Sequence, residues 1–493
     1  MIEHVDVAVA GAGVTGLAAA WAAEQQGATV ALFEAGAECG GVIKSENADG
    51  FLVERGATSM TGSADVMQLL RRLSLRDDVI VPPAASKRRY IVRDGQLCVL
   101  PASPPGLLTT SALSWRAKFR VLREPWVSPP TIPPEAESLA QLVRRRFGEE
   151  VLDYIVDPFV NGVYAGDPER LSSRFALRML SELEREHGSI LLGGIKQARR
   201  RSAGNAANRR GNAGAAHEQP GTATNALDAV PHILSFRKGM QQLPQAIEAA
   251  LLRPVRYRQP VTEVAHRDGQ WQISSGVGTR HLVSANALIV ALPSHQLQNL
   301  SWPDEFASAL ARVPSVVHAP VSTVALGFQR SQVAHPLNGF GVLIPHKEQR
   351  GILGALFNSS MFAGRAPDAH VLITCFVGGA RVRGALTVEQ AAQTSLSELA
   401  PLVGLTGSPV YMSSHVWRKG IPQFNVGHEA VGHALDALEA AWPGLFFSGS
   451  YRTGVAVGEC LGNGFAVGAR AASSGRQKGA QRAILAAAGP NRL

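Results

Sequence analysis

The sequence predicts an α/β plus α+β fold: a Rossmann-like nucleotide-binding domain, a mixed-sheet domain and a helical domain. Three observations predict it. An apolar run followed by three spaced glycines opens the chain. Apolar, β-branched runs separated by turn signals fill the region from residue 255 to residue 380. A stretch rich in Leu, Trp, Arg and Lys lies between them. At 493 residues the chain is too long for one ordinary core, so two or three domains are expected.

The first element is "VDVAVAGAGVTGLAAAWAAEQQGATVALFEA", residues 5–35. Val5 to Val9 is continuously apolar, as a parallel strand buried on both faces should be. Gly11, Gly13 and Gly16 follow, with Ala12 inside the turn. The first glycine permits a tight turn. The second lets the backbone approach a pyrophosphate, and the third lets helix and strand pack closely. A helix from Thr15 presents its first N–H groups to phosphate. The second strand, Thr29 to Phe33, ends at Glu34 and Ala35, about 20 positions after the glycines, where a carboxylate accepts from ribose hydroxyls. Together these read as dinucleotide binding.

The next segments narrow the cofactor to FAD. "ECGGVIKSE" (38–46) sets Gly40 and Gly41 directly after the ribose carboxylate. "GFLVERGATSM" (50–60) puts Glu54, Arg55 and Gly56 at a turn, where small residues let backbone press on an isoalloxazine ring. Val42 follows the glycine pair, so no arginine meets the flavin phosphates there.

Residues 61–155 read as mostly helical, interrupted by "KRRYIVRDGQLCVLP" (87–101), a hairpin about Asp94-Gly95. The stretch 101–127, with Trp115, Phe119, Leu122 and Trp126 among Arg and Lys, suits a basic amphipathic segment at a membrane interface. "DPFVNGVYAGDPERLS" (157–172) reads as a loop, with two Asp-Pro pairs and two Gly around Phe159, Val163 and Tyr164. Residues 197–226 are Ala, Asn, Gly and Arg with little to bury, a disordered insertion without the aromatics that nucleic-acid stacking needs. From 232 strands resume, with Asp268-Gly269 as a second hairpin signal, and the runs from 321 to 378 suggest an antiparallel substrate face. Near the C-terminus a buried strand (445–448) meets a Gly-punctuated turn, then a helix from about Val455 whose N-terminus cradles the flavin. After Ala472 a frayed basic tail is expected.

Composition sets outer bounds. The charge of +9 admits anionic partners. Four Cys without paired spacing argue against a disulfide framework or zinc site and for a reducing compartment. No run of about 18 apolar residues suggests a membrane-spanning helix, and Met1 leads straight into a strand pattern rather than a secretory signal. No Ser/His/Asp grouping and no metal-ligand set stand out, so no catalytic side chain is assigned; the flavin would drive the chemistry.

With those residues in view, the chain resembles the protoporphyrinogen oxidase family within the FAD-dependent, amine-oxidase-like flavoproteins. "GVYAGDPERLS", "HGSILLGGIKQ", "RYIVRDGQLCVLP", "GFGVLIPHKEQRGILGALFNSSMF" and "WRKGIPQFNVGH" carry the likeness, which spans all but 197–226 and the tail. The resemblance implies oxygen-dependent oxidation of protoporphyrinogen IX to protoporphyrin IX, with hydrogen peroxide released. It implies that Gly11, Ala12, Gly13, Thr15, Gly16, Glu34, Ala35 and Gly41 hold the ADP half of FAD, with Val261 on the adenine side. Gly56, Ala57, Thr58, Val455, Ala456 and Val457 would line the isoalloxazine. Arg89 would meet a substrate propionate, Gly162 would set its carbonyl toward a pyrrole N–H with Val163 and Tyr164 shaping the wall, and Phe340 and Leu343 would sandwich the ring.

The implied domains are FAD-binding parts at 1–85, 227–295 and 426–472, a substrate- and membrane-associating helical domain at 86–196, and a substrate sheet at 296–425, apart from the 197–226 insertion and a 473–493 tail. Cytoplasmic residence against the inner face of the cell membrane, a homodimer and product hand-off to a chelatase belong to the same expectation. Rival readings are a coproporphyrinogen III oxidase, an amine oxidase or desaturase of the same superfamily, and a non-enzymatic FAD-fold carrier.

Overall fold

The computed structural model describes residues 2–100, 106, 109–130, 132, 133, 135–200, 233–276, 281–382, 384 and 386–487, with side chains for all of these but Lys87 and 477–487. From residue 201 onward the expected disordered insertion lies outside the described residues; 197–200 close a helix over 190–200.

The opening residues form the expected unit. Strands Glu3–Ala10 and Val30–Phe33 are parallel, with Val7 opposite Val30, and helix Val14–Gln25 crosses between them. Two segments distant in sequence complete this sheet. His281–Val290 pairs in parallel with Glu3–Ala10. Gln270–Ser275 covers the first half of its other edge, and Leu445–Phe447 the second. Val261–Arg267 closes that side as a hairpin arm. Val7, Val9, Ala287 and Ile289 point to one apolar core; Ala8, Ala285 and Leu288 point to another. A strand with both faces buried needs the unbroken apolar run seen in the sequence.

A seven-stranded sheet forms the second layer, in the order Tyr411–Pro422, His318–Gln329, His370–Gly378, Ile352–Leu356, Gly341–Leu343, Arg89–Arg93, Gln96–Val99. Its neighbours run antiparallel except Gly341–Leu343 beside Arg89–Arg93, which is parallel. The Asp94-Gly95 hairpin turns as expected, with φ of 52° and 75°. It extends this sheet rather than standing in a helical domain, because Tyr90 and Val92 complete the sheet's apolar core.

The helical region packs around its own core, including Leu113, Leu142, Val143, Leu152, Val160 and Leu183. Among the described residues no helix is long and apolar enough to cross a membrane.

Two expectations are corrected. Residues 157–164 are not a loop but helix Asp157–Tyr164, preceded by a π turn over Leu152–Val156. A proline ring clashes with the carbonyl four residues back in a regular helix; the wider π turn accommodates Pro158. Ala165, in the left-handed region at φ 47°, ends the helix. The C-terminal helix runs from Val457 to Ala487 and does not yield to a frayed tail at 473. Glycines let it lie on helix Val14–Gln25: a Cβ on Gly468 would come within 2.1 Å of the Ala19 carbonyl oxygen. Ala471 and Ala472 are fully buried, and Asn286 donates to the Gly475 carbonyl at 3.2 Å.

Candidate functional site

The Gly-rich turn is built by close backbone contacts. Gly11 has φ +100°, and a Cβ there would lie 2.8 Å from the Ala291 carbonyl oxygen. Its N–H donates to the Phe33 carbonyl at 2.8 Å. A Cβ on Gly16 would fall 1.9 Å from the Gly11 carbonyl oxygen, so helix and turn touch. Around Gly13 nothing stands within 4 Å of a Cβ position, which leaves room where a pyrophosphate would sit. Glu34 braces the turn: one carboxylate oxygen accepts from Ala12 N–H at 2.9 Å and the other from Gly36 N–H at 2.7 Å. Ala35 beside it is exposed. The Gln259 N–H donates to the Glu34 carbonyl at 2.9 Å, which brings half-buried Val261 to the same end of the sheet. Gly41, at φ +62°, lies against Gly13: its Cβ position is 3.3 Å from the Gly13 Cα.

The segments assigned to the flavin ring converge on the same core. Ala12, Met60 and Val457 are buried together, with Ala57 packed against them. Gly56 presses on the Val42 carbonyl, where a Cβ would come within 1.9 Å. The Thr58 carbonyl accepts from Ser235 Oγ at 3.1 Å. Thr15 is buried, and a Cβ on Gly464 of the C-terminal helix would lie 2.4 Å from its carbonyl oxygen. Val455 and Ala456 precede that helix, and Ala456 N–H donates to Glu459 at 3.1 Å. The two helix starts, at Val14 and Val457, therefore share one site. Open space beside Gly13, a carboxylate at the end of the second strand and small residues at 56–58 and 455–457 fit FAD.

A second constellation forms where strands Gly341–Leu343 and Arg89–Arg93 pair in the seven-stranded sheet. Arg89 opens its strand opposite Gly341, exposed, with its guanidinium carbon 5.2 Å from the Phe340 ring centroid. Among the described residues Arg89 has no carboxylate partner. Leu343 stands three residues after Phe340, at the end of strand Gly341–Leu343, and a Cβ on Gly162 would lie 2.7 Å from its Cδ2. Val163 is exposed beside Gly162. The five substrate residues thus fall into two neighbouring groups, Arg89 with Phe340 and Leu343 with Gly162 and Val163, joined by the short strand Gly341–Leu343. The Tyr164 hydroxyl donates to the Ala176 carbonyl at 3.0 Å; burial, and secondarily the Glu459 carboxylate, push its phenol up to about 12.

Several participants carry no signal in the sequence. Trp417 Nε1 and Thr323 Oγ1 both donate to the Arg55 carbonyl, at 2.8 Å and 3.2 Å, and fix the 54–58 segment from the other layer. Arg381 spans the Gly162 helix, pairing with Asp157 at 2.6 Å and Asp167 at 3.2 Å. A cavity of about 820 Å³ lies beside that clamp, lined by Asp153, Asp157, Arg381 and Lys347 among others. Its charged lining does not suit an apolar ring, and no residue of the Gly-rich turn borders it.

The model of the flavin containing amine oxidoreductases matches residues 14–471. A protoporphyrinogen oxidase of Arabidopsis thaliana is 33% identical over 480 residues, covering 93% of this chain and 92% of that protein. The chain belongs to the protoporphyrinogen oxidase family of flavoproteins. Its cofactor is FAD, and it is an oxidoreductase. A coproporphyrinogen III oxidase of Bacillus subtilis is 25% identical, covering 93% of this chain and 96% of that protein. A crystal structure from Exiguobacterium sp. 255-15 matches with a TM-score of 0.75 at 20% identity, covering 95% of this chain and 98% of that one, and shares the mixed α/β fold.

Proposed function

We propose that this protein oxidises protoporphyrinogen IX to protoporphyrin IX in tetrapyrrole biosynthesis, with dioxygen as acceptor and hydrogen peroxide as second product. One observation carries the reading: Arg89, with no carboxylate partner among the described residues, stands over the Phe340 ring beside the strand whose Leu343 meets the Gly162 helix. A porphyrinogen is broad and apolar with carboxylates along one edge. It needs an apolar slot with few polar anchors and a cation at the rim. FAD, held by the Gly11–Gly16 turn and the 56–58 and 455–457 segments, would supply the hydride acceptor and the route for electrons to dioxygen. The chain binds and orients the macrocycle and excludes water. Arg89 fixes the carboxylate edge, Phe340 and Leu343 contact the ring, and Gly162 lets backbone approach a pyrrole N–H.

Coproporphyrinogen III is the second reading, with more carboxylates to satisfy; the exposed Arg88 beside Arg89 favours it. Docking against the inner face of the cell membrane forms part of the proposal. Its support is the outer face of helix Trp115–Leu122 and the turn that follows, where Trp115, Phe119 and Trp126 are 70%, 64% and 81% exposed among Arg116, Arg120 and Arg123. A homodimer and hand-off to a chelatase complete it.

The test mixes purified protein anaerobically with each porphyrinogen, admits air and follows porphyrin fluorescence. A higher kcat/KM for protoporphyrinogen IX supports the first reading, and preference for coproporphyrinogen III supports the second. No porphyrin from either substrate, with FAD bound, overturns both.

A further inference from the structure

Arg365 is 1% exposed, far from water for an arginine. It lies between helix Asn358–Met361 and strand His370–Gly378, in the layer of the seven-stranded sheet. Its guanidinium reaches into the other layer. Nη2 stands 3.4 Å from Glu54 Oε1 and donates to Ser235 Oγ at 2.7 Å and the Phe236 carbonyl at 3.3 Å. Among the described residues Nε and Nη1 have no hydrogen-bond partner, and the Phe362 ring centroid lies 5.5 Å from the guanidinium carbon.

Glu54, 2% exposed, is saturated from its own side. Oε1 accepts from Met240 N–H at 2.9 Å and Oε2 from Ser45 Oγ at 2.6 Å. Only glycine fits at 239: φ is +95°, and a Cβ would sit 2.3 Å from Ser45 Oγ. Burial disfavours both charges, raising the Glu54 pKa and lowering that of Arg365. A buried pair of this kind returns little net stability, because the attraction roughly offsets desolvation. What it supplies is registry between the groups it joins.

Those groups are the two segments against FAD. One branch runs from Arg365 through Ser235 to the Thr58 carbonyl. The other runs from Glu54 through Ser45 to Gln241, whose Nε2 donates to Glu38 at 2.9 Å, just before Gly40 and Gly41. We propose that Arg365 is a positioning residue for FAD: plugged in from the seven-stranded sheet, it holds the 38–41 and 54–58 segments at the spacing the cofactor requires. Retention of FAD is thereby tied to docking of the two layers. Nothing in this arrangement depends on which porphyrinogen is oxidised.

The test uses Arg365→Met, Arg365→Lys and the charge-neutral double variant Glu54→Gln/Arg365→Met. FAD is stripped and titrated back, its Kd is read from the change in flavin fluorescence, and the Tm of each apoprotein is recorded. Arg365→Met is expected to raise the FAD Kd about tenfold or more, and Arg365→Lys to raise it less. In the double variant no carboxylate is stranded, so apoprotein Tm recovers while FAD stays weakly held. Wild-type Kd in Arg365→Met or in the double variant overturns the proposal, as does a fall in apoprotein Tm with Kd unchanged. Should Arg365→Met fail to fold, the double variant decides alone.

Discussion

The Arg89 guanidinium lies over the Phe340 ring, 5.2 Å from the centroid, with no acid to neutralise it among the described residues. The ring contact holds the cation at the start of its strand while leaving its N–H fork free for a carboxylate. Arg89→Ala is expected to lower kcat/KM for the porphyrinogen about 10- to 100-fold, the worth of one charge-assisted contact, mainly through KM. Arg89→Lys keeps the charge, loses the planar stack and falls between. Initial rates of porphyrin fluorescence check both.

Gly162 sits in a regular helix, so alanine there should favour the helix itself. The new Cβ would meet Leu343 Cδ2 at 2.7 Å, the end of a flexible side chain. Gly162→Ala should therefore keep its Tm yet raise KM by turning Leu343 into the substrate space. Leu343→Ala in the same chain should recover part of the loss, and a double-mutant cycle on kcat/KM reads this coupling.

Gly13 and Gly16 separate binding from folding. A Cβ on Gly16 strikes the Gly11 carbonyl oxygen at 1.9 Å, backbone that cannot give way, whereas one on Gly13 enters open space. Both alanine variants should purify without yellow colour. Only Gly16→Ala should lower the Tm of the apoprotein. The ratio of flavin to protein absorbance and a thermal melt distinguish them.

Of the four cysteines, Cys39, Cys375 and Cys460 are buried. Burial pushes their thiols up to about 12, 12 and 11. Thiolate is the reactive form, so Cys98, half-exposed, should be the one that reacts promptly with a disulfide reagent at neutral pH. Denaturant should release all four.

His295 and His318 meet edge to face at 4.8 Å, and the Lys419 charge acts on both. Burial, then His318 and Lys419, push His295 down to about 4. Between its ordinary value near 6.5 and about 4, the unfolded chain takes up a proton that the folded chain refuses. Stability from this group is therefore present above that window and is lost as pH falls through it. Urea midpoints at pH 7 and pH 5 should fall less for His295→Asn/His318→Asn than for the natural chain.

The parts legible in the sequence were those in which chemistry is local. Gly11, Gly13 and Gly16 encode their turn within one short segment, because a positive φ and close backbone contacts demand glycine at a set spacing, whereas the bracing of that turn by Glu34 appeared only in the structure. Asp94-Gly95 likewise fixed its hairpin through two left-handed residues. Which sheet that hairpin joins was not local: Tyr90 and Val92 complete a core whose other members come from residues 324 to 403. The 157–164 segment misled because its Pro and Gly signal a turn, while a π turn upstream and burial of Pro158 and Val160 made it a helix. The C-terminal helix persists past 472 because its glycines admit the Ala19 backbone, a contact with no trace in its own composition. By itself the sequence determined the nucleotide turn and the cofactor class. Only the tertiary structure decided that Arg89 rests on Phe340, that Gly162 faces Leu343 and that Arg365 reaches Glu54, because burial and long-range pairing, not local propensity, bring those side chains together.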